Sequence, residues 1–210
     1  LLHLGADELI RQAEEEKSKL RFTDKDSVDK FRYYQAVISA FQAMKTLGER
    51  YSRLAAEMAE KESRPQRKKE LEQIAEICSR VPAKPAATFR EAIQCFWFLF
   101  LMLSPSTTLP GNRFDQYMDP YYEKDLAEGR ITRDEALELL CCLRLKDMEL
   151  NRTSGKNNRK KNAGMAKWHN YTIGGVKADG TDATNAITYL LLEAAAITKT
   201  PHHTLTLRVH

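Results

Sequence analysis

The sequence predicts an α/β chain, mainly helical over residues 1–165 and closing in a β-α-β unit over residues 166–210. Three observations carry this. Apolar residues recur at three- and four-residue steps across residues 31–58. Two Thr-x-x-Glu boxes, Thr88 with Glu91 and Thr132 with Glu135, stand at the head of later apolar stretches. Finally, residues 171–176 and 204–209 alternate as strands do, with helical spacing between them.

The elements follow in order. Asp26 or Ser27 is placed to cap a long helix whose stripe runs through Phe31, Tyr34, Ile38, Phe41, Met44 or Leu47, Tyr51, Leu54 and Met58. Gly48 interrupts its propensity, and the charged residues 57–69 with Pro65 end it. A helix over residues 66–79 comes next, until Pro82 and Pro85 break the pattern. From the Thr88 box an apolar helix carries Phe96, Trp97, Phe98, Phe100 and Leu103 and stops at Ser104-Pro105. Its apolar run is about 12 residues where a membrane span needs about 20, so it reads as buried helix. Being apolar on every side, it is expected to need more protein around it than this chain offers.

The Thr132 box opens a helix with Leu137, Leu140, Cys141 and Leu145 on one face, which runs into a basic loop over residues 152–161. Asp182 is placed to cap a helix through Ile187, Leu190, Leu191 and Ala194, which Pro201 ends. Two parallel strands joined by a helix do not close a sheet by themselves, which marks the sheet as incomplete.

Composition narrows the function classes. The 210 residues are 42% hydrophobic and 30% charged with a formal net charge of +4, a soluble globular balance without the basic excess of a nucleic-acid binder. Cys78, Cys95, Cys141 and Cys142 form no Cys-x-x-Cys pair and read as buried reduced thiols of an intracellular protein. His169, His202, His203 and His210 lack ligand spacing, so no metal site is expected, and His202 and His203 read as hydrogen-bonded core residues. Arg152, Lys156, Arg159, Lys160 and Lys161 contain no interleaved aromatic and read as a solvated loop.

Gly111-Asn112-Arg113-Phe114-Asp115-Gln116-Tyr117, followed by Thr172-Ile173-Gly174-Gly175-Val176 and by Asp179-Gly180 with Asn185, resembles one internal region of the glycyl radical enzymes, the pyruvate formate-lyase family. Residues 88–94, Gly129-Arg130-Ile131-Thr132 and residues 190–194 extend the likeness in the same order. The resemblance implies the first strands of a ten-stranded α/β barrel, incomplete here, with residues 1–210 forming part of one domain. It implies chemistry in which a glycyl radical generates a cysteine thiyl that takes hydrogen from a small polar substrate. None of the four cysteines stands in the family's Cys-x-Glu loop context, so no radical cysteine is assigned. The opening at Leu1 fits a piece of a longer chain.

Further expectations come with the family. No cofactor is bound, and a radical S-adenosylmethionine activase installs the glycyl radical. The working enzyme is a homodimer in the anaerobic cytoplasm or a bacterial microcompartment, with neither membrane nor nucleic acid as partner. Thr107 and Thr108 match positions that reach the substrate in that family, and their hydroxyls both donate and accept. Arg113, Asp115 and Gln116 are expected to form a charge-assisted network that supports this loop. The alternative from another class is a helical nucleic-acid-binding module using residues 152–161.

Overall fold

The computed structural model describes residues 1–21, 23–103, 111–149, 156–161, 170–201 and 203–209. They form eight described helices and two strands, in the order α1 (Gly5–Ser18), α2 (Ser27–Lys61), α3 (Pro65–Arg80), α4 (Phe89–Leu103), α5 (Phe114–Ala127), α6 (Arg133–Glu149), α7 (Lys156–Lys161), β1 (Asn170–Gly174), α8 (Ala186–Thr198) and β2 (Thr204–Arg208). The chain divides into two compact units, Leu1–Ala87 with Gln94–Phe98, and Thr88–Ile93 with Leu99–His210.

The first unit is helical. Helix α1, whose apolar positions are too sparse to stand out in the sequence, buries Ile10 and Ala13 with Ile38 of α2, and Tyr34, Val37 and Phe41 pack around them. Helix α2 runs on through the buried Gly48. Its stripe differs from the one the spacing predicts. Ile38 and Met44 are buried, but Tyr51, Leu54 and Met58 are exposed, and the small residues Ala55 and Ala59 face inward instead. Small side chains there let α3 come close enough for the Ser52 hydroxyl to donate to the Ala75 carbonyl at 2.7 Å. Neither Asp26 nor Ser27 caps α2 with its side chain; Ser27 is buried and donates back to the Arg21 carbonyl. Pro65 sits in the first turn of α3, where a missing amide hydrogen costs nothing.

The second unit holds the sheet. Strands β1 and β2 pair in parallel, Asn170 with Thr204 through Gly174 with Arg208, and α8 makes the crossover between them. Helix α4 begins where Thr88 accepts from the Glu91 amide at 3.1 Å, and the Phe89 amide donates to the buried Asp125 carboxylate at 2.7 Å. In α6 both halves of the second box form. The Glu135 amide donates to the Thr132 hydroxyl at 3.2 Å, and the Thr132 amide donates to the Glu135 carboxylate at 2.8 Å. Leu145 lies exposed, and the inward face of α6 is Ala136, Leu140, Leu143, Arg144 and Asp147. Asp182 does not cap α8. Asn185 does, accepting from the Thr188 amide at 3.0 Å, while Asp182 accepts from the Thr184 amide. Residues 156–161 of the basic stretch form a short helix instead of a loop.

Two further expectations are corrected. Phe96, Phe98 and Phe100 are buried already within this chain, while Trp97, Leu99 and Leu103 are half-buried. Cys78 and Cys95 are buried but Cys141 is half-buried and Cys142 exposed, since adjacent helical side chains point about 100° apart. All four are free thiols, and burial pushes Cys78 up to about 11. Among the described residues no helix is long and apolar enough to cross a membrane.

The burial of α4 makes a test. Phe98 is fully buried and its ring meets Tyr51 at a centroid distance of 5.6 Å, so Phe98→Ala is expected to lower unfolding stability by about 3–5 kcal/mol. The exposed Leu145→Ala should shift it by less than about 0.5 kcal/mol. Urea titrations of both variants measure this, and a Phe98→Ala shift no larger than that of Leu145→Ala would contradict the packing described.

Candidate functional site

The chain enters the second unit's sheet at Gly111. Asn112 forms a one-residue parallel bridge with Thr172, the Arg113 amide donates to the Thr172 carbonyl at 2.8 Å, and the Thr172 hydroxyl donates to the Asn112 side-chain oxygen at 3.1 Å. Gly111 is required by this approach. A Cβ on it would stand 2.4 Å from the Tyr171 ring and 2.7 Å from the Asn170 carbonyl.

Arg113 then adopts a left-handed conformation, φ 60°, and α5 begins. The next side chains reach three separate pieces of backbone. Both terminal nitrogens of Arg113 donate to the Val176 carbonyl at 3.2 Å. One oxygen of Asp115 accepts from the Gly174 amide at 2.7 Å and from the Thr188 hydroxyl at 2.6 Å, and its main-chain carbonyl accepts from the Asn185 side-chain amide at 3.1 Å. Gln116 donates to the Ala183 carbonyl at 2.6 Å. The network expected from the sequence therefore takes a different form. Arg113 bonds a carbonyl and not Asp115, because its left-handed backbone sends the side chain toward residues after β1 while Asp115 turns to the end of β1 and the start of α8.

Asp115 is wholly buried, and its other oxygen has no hydrogen-bond partner among the described residues. One turn on, the Asp119 carboxyl is raised above its ordinary value, first by burial and next by the charge of Glu123, against the hydrogen bond it receives from the Ile187 amide. The Tyr117 hydroxyl is raised by burial and by the Asp115 charge. Carboxylates are stabilised beside a helix N-terminus, and Asp115 and Asp119 both meet the first turn of α8.

The sheet has two faces, set by the alternation of strand side chains. One is apolar, with Tyr171 and Ile173 buried. The Tyr171 ring stacks on Phe114 at 5.1 Å and on His203 at 3.6 Å, the latter with planes 4° apart. The other face carries Asn170 and Thr172 of β1 and their register partners Thr204 and Thr206 of β2, with Asn112 beside Thr172. It ends at Gly174 and Gly175, at φ 68° and 87°, and at Arg208. The Gly175 amide donates to the Arg208 carbonyl at 2.8 Å, and the Arg208 side chain lies across Gly175, its Nε 3.4 Å from where a Cβ would be. Arg208 is exposed and makes no ion pair or side-chain hydrogen bond among the described residues.

Thr107, Thr108, His169, His202 and His210 lie outside the described residues. His203 is buried, with Nδ1 3.5 Å from the Asp147 carboxylate. Among the described residues no group of three or more His, Cys, Asp or Glu is placed to hold a metal. Sequence reasoning missed Arg144, which is 2% exposed. It donates to the Thr198 hydroxyl at 3.1 Å, the Thr200 carbonyl at 3.2 Å and the His203 carbonyl at 3.0 Å, fixing the link from α8 to β2. Its burial draws its pKa below the usual arginine value. The available signal was a charge at the apolar spacing of α6, four residues after Leu140, with Asp147 three further on.

Comparisons with known proteins agree with one another. The family model described as pyruvate formate lyase-like matches residues 1–210. The isethionate sulfite-lyase of Nitratidesulfovibrio vulgaris is 43% identical over 194 residues, which are 88% of this chain and 23% of that protein. The solved structure of hydroxyproline dehydratase from Clostridioides difficile, with substrate trans-4-hydroxy-L-proline bound, superposes with a TM-score of 0.92 at 30% identity, over 99% of this chain and 27% of that one. The glycerol-bound B12-independent glycerol dehydratase of Clostridium butyricum gives 0.90 at 36% identity, over 99% and 26%. The chain thus spans about a quarter of the length of these relatives.

The Asp115 contacts predict a graded response. Asp115→Ala leaves the Gly174 amide and the Thr188 hydroxyl without their acceptor, at a cost of about 2–5 kcal/mol for the two. Asp115→Asn keeps a carbonyl oxygen in the accepting position and should cost clearly less. Denaturant midpoints of the two variants decide; equal losses would mean that these two bonds do not hold the elements together.

Proposed function

We propose, from the premise that this chain belongs to the pyruvate formate lyase-like family of glycyl radical enzymes, that it is a segment of a lyase or dehydratase cleaving a C–C or C–heteroatom bond of a small polar organic substrate. The observation that carries the reading is the polar face of β1 and β2, ending at Gly174, Gly175 and Arg208 at the carboxyl ends of parallel strands. Parallel α/β sheets bind ligands at those ends. On this reading β1 and β2 are the first strands of a ten-stranded barrel, and the polar face looks into it.

The radical would supply hydrogen abstraction from the substrate, delivered through a cysteine thiyl, after an activase with S-adenosylmethionine has installed it on a glycine. The residues of this chain orient the substrate. The Asn112 amide nitrogen and the Thr172 oxygen offer a donor and an acceptor on the polar face, and Thr107 and Thr108, five and four residues before Asn112, add hydroxyls able to hold a substrate hydroxyl, carboxylate or sulfonate. Arg113, Asp115 and Gln116 support them by tying the start of α5 to the backbone after β1 and before α8. No base is needed from the threonines, which are too weakly acidic and basic for that role. The relatives named here act on isethionate, trans-4-hydroxy-L-proline and glycerol, all small and hydroxylated, which supports a substrate of that class for this protein. The enzyme is expected to work as a homodimer in an anaerobic cytoplasm or microcompartment. A match to the family model across residues 1–210 favours this over a nucleic-acid-binding module built on residues 152–161.

The test uses the complete enzyme with its activase. Thr107→Val and Thr108→Val are expected to lower turnover about fivefold or more, the loss of a hydrogen bond of roughly 1 kcal/mol, while spin quantitation finds the glycyl radical yield unchanged. Unchanged kinetics at both positions would return them to a turn role, and absence of a glycyl radical in the wild type would refute the enzyme assignment.

A further inference from the structure

The geometry points to Arg208 as the residue that binds an anionic group, a carboxylate or sulfonate, on the substrate; this rests on the reading of the sheet's polar face as the substrate site. Four observations converge on it. Arg208 ends β2 at the carboxyl edge of the sheet, opposite Gly174 in the register. Its guanidinium has no hydrogen-bond or ion-pair partner among the described residues, unlike the buried Arg144, which bonds Thr200, or the surface Arg130 and Arg133, which pair with Asp125 and Glu193. Two glycines make room for this residue: a Cβ on Gly175 would stand 3.1 Å from the Arg208 Cβ and 3.4 Å from its Nε, and one on Gly174 would stand 2.8 Å from the Arg208 main-chain carbonyl. Both glycines also have positive φ, so the backbone there favours residues without side chains.

The neighbours on that face are uncharged. Thr172, Thr204 and Thr206 with Asn112 and Asn170 offer hydroxyls and amides, and Arg208 is the one charged group among these strand residues. A planar guanidinium grips a carboxylate or sulfonate through two parallel bonds, while the hydroxyl and amide side chains suit the uncharged remainder of a hydroxylated molecule. The same arrangement gives no advantage to a neutral polyol. The substrate class is therefore narrowed to small hydroxylated organic anions.

The experiment measures binding to the complete, unactivated enzyme by calorimetry, with isethionate as the sulfonate, trans-4-hydroxy-L-proline as the carboxylate and glycerol as the neutral probe. One of the two anions is expected to bind the wild type more tightly than glycerol. Arg208→Gln is expected to weaken that anion at least about tenfold with the melting temperature unchanged, and Arg208→Lys, which keeps charge without the fork, to fall between the two. Which anion binds tells sulfonate from carboxylate. Unchanged anion affinity in Arg208→Gln overturns the inference, as does wild-type preference for glycerol or a lower melting temperature with affinity intact, which would make Arg208 an ion-pair partner within the fold. Should Arg208→Gln fail to fold, wild-type affinity in Arg208→Lys overturns it equally. The enzyme reading is scored separately, by whether the activase yields a glycyl radical in the wild type.

Discussion

One carboxylate oxygen of Asp115 takes hydrogen bonds from the Gly174 amide and the Thr188 hydroxyl, and the geometry of the candidate site depends on that junction. It joins the end of β1, the start of α8 and the first turn of α5 without a cation. A buried carboxylate is costly unless it is hydrogen-bonded, and here the donors are a strand amide and a hydroxyl that also belongs to the α8 capping box. Because the same oxygen serves both elements, the end of the strand cannot move away from the helix that follows without giving up one of the two bonds. Asn185 reinforces this from the other side by donating to the Asp115 main-chain carbonyl.

That junction fixes the end of the sheet whose polar face is proposed as the substrate site. The apolar face is filled by Tyr171 and Ile173, with Phe114 and His203 stacked on the Tyr171 ring. The opposite face is left with hydroxyls, amides and Arg208, groups that bind and orient but do not pack. A second anchor works at the far end of β2. Arg144 donates to the Thr200 and His203 carbonyls and so sets where the strand begins, which in turn sets the register that brings Arg208 beside Gly174 and Gly175.

The helices show how packing overrides local pattern. Tyr51, Leu54 and Met58 have the spacing of a buried stripe, yet Ala55 and Ala59 take the inner positions because α3 approaches closely and only small side chains fit there. In α6 the charged Arg144 and Asp147 displace Leu145 from the inner face for a different reason. Arg144 bonds the α8–β2 link and Asp147 lies beside His203, and an interior polar link is stable only when such partners reach it.

By itself the sequence determined the helical body, the parallel strand pair with its helical crossover, the two threonine boxes and the family, because these rest on local periodicity, hydrogen bonds three residues apart and an ordered motif. It also singled out Arg113, Asp115 and Gln116. It did not reveal their partners, since the Val176, Gly174 and Ala183 backbone groups lie about sixty residues away and are brought near only by folding. The exposed side of α2, the inward Arg144 and the placement of Arg208 over two glycines were likewise decided by tertiary structure. Which face of an element is covered depends on what packs against it, and long-range approach of backbone to side chain leaves no period in the sequence.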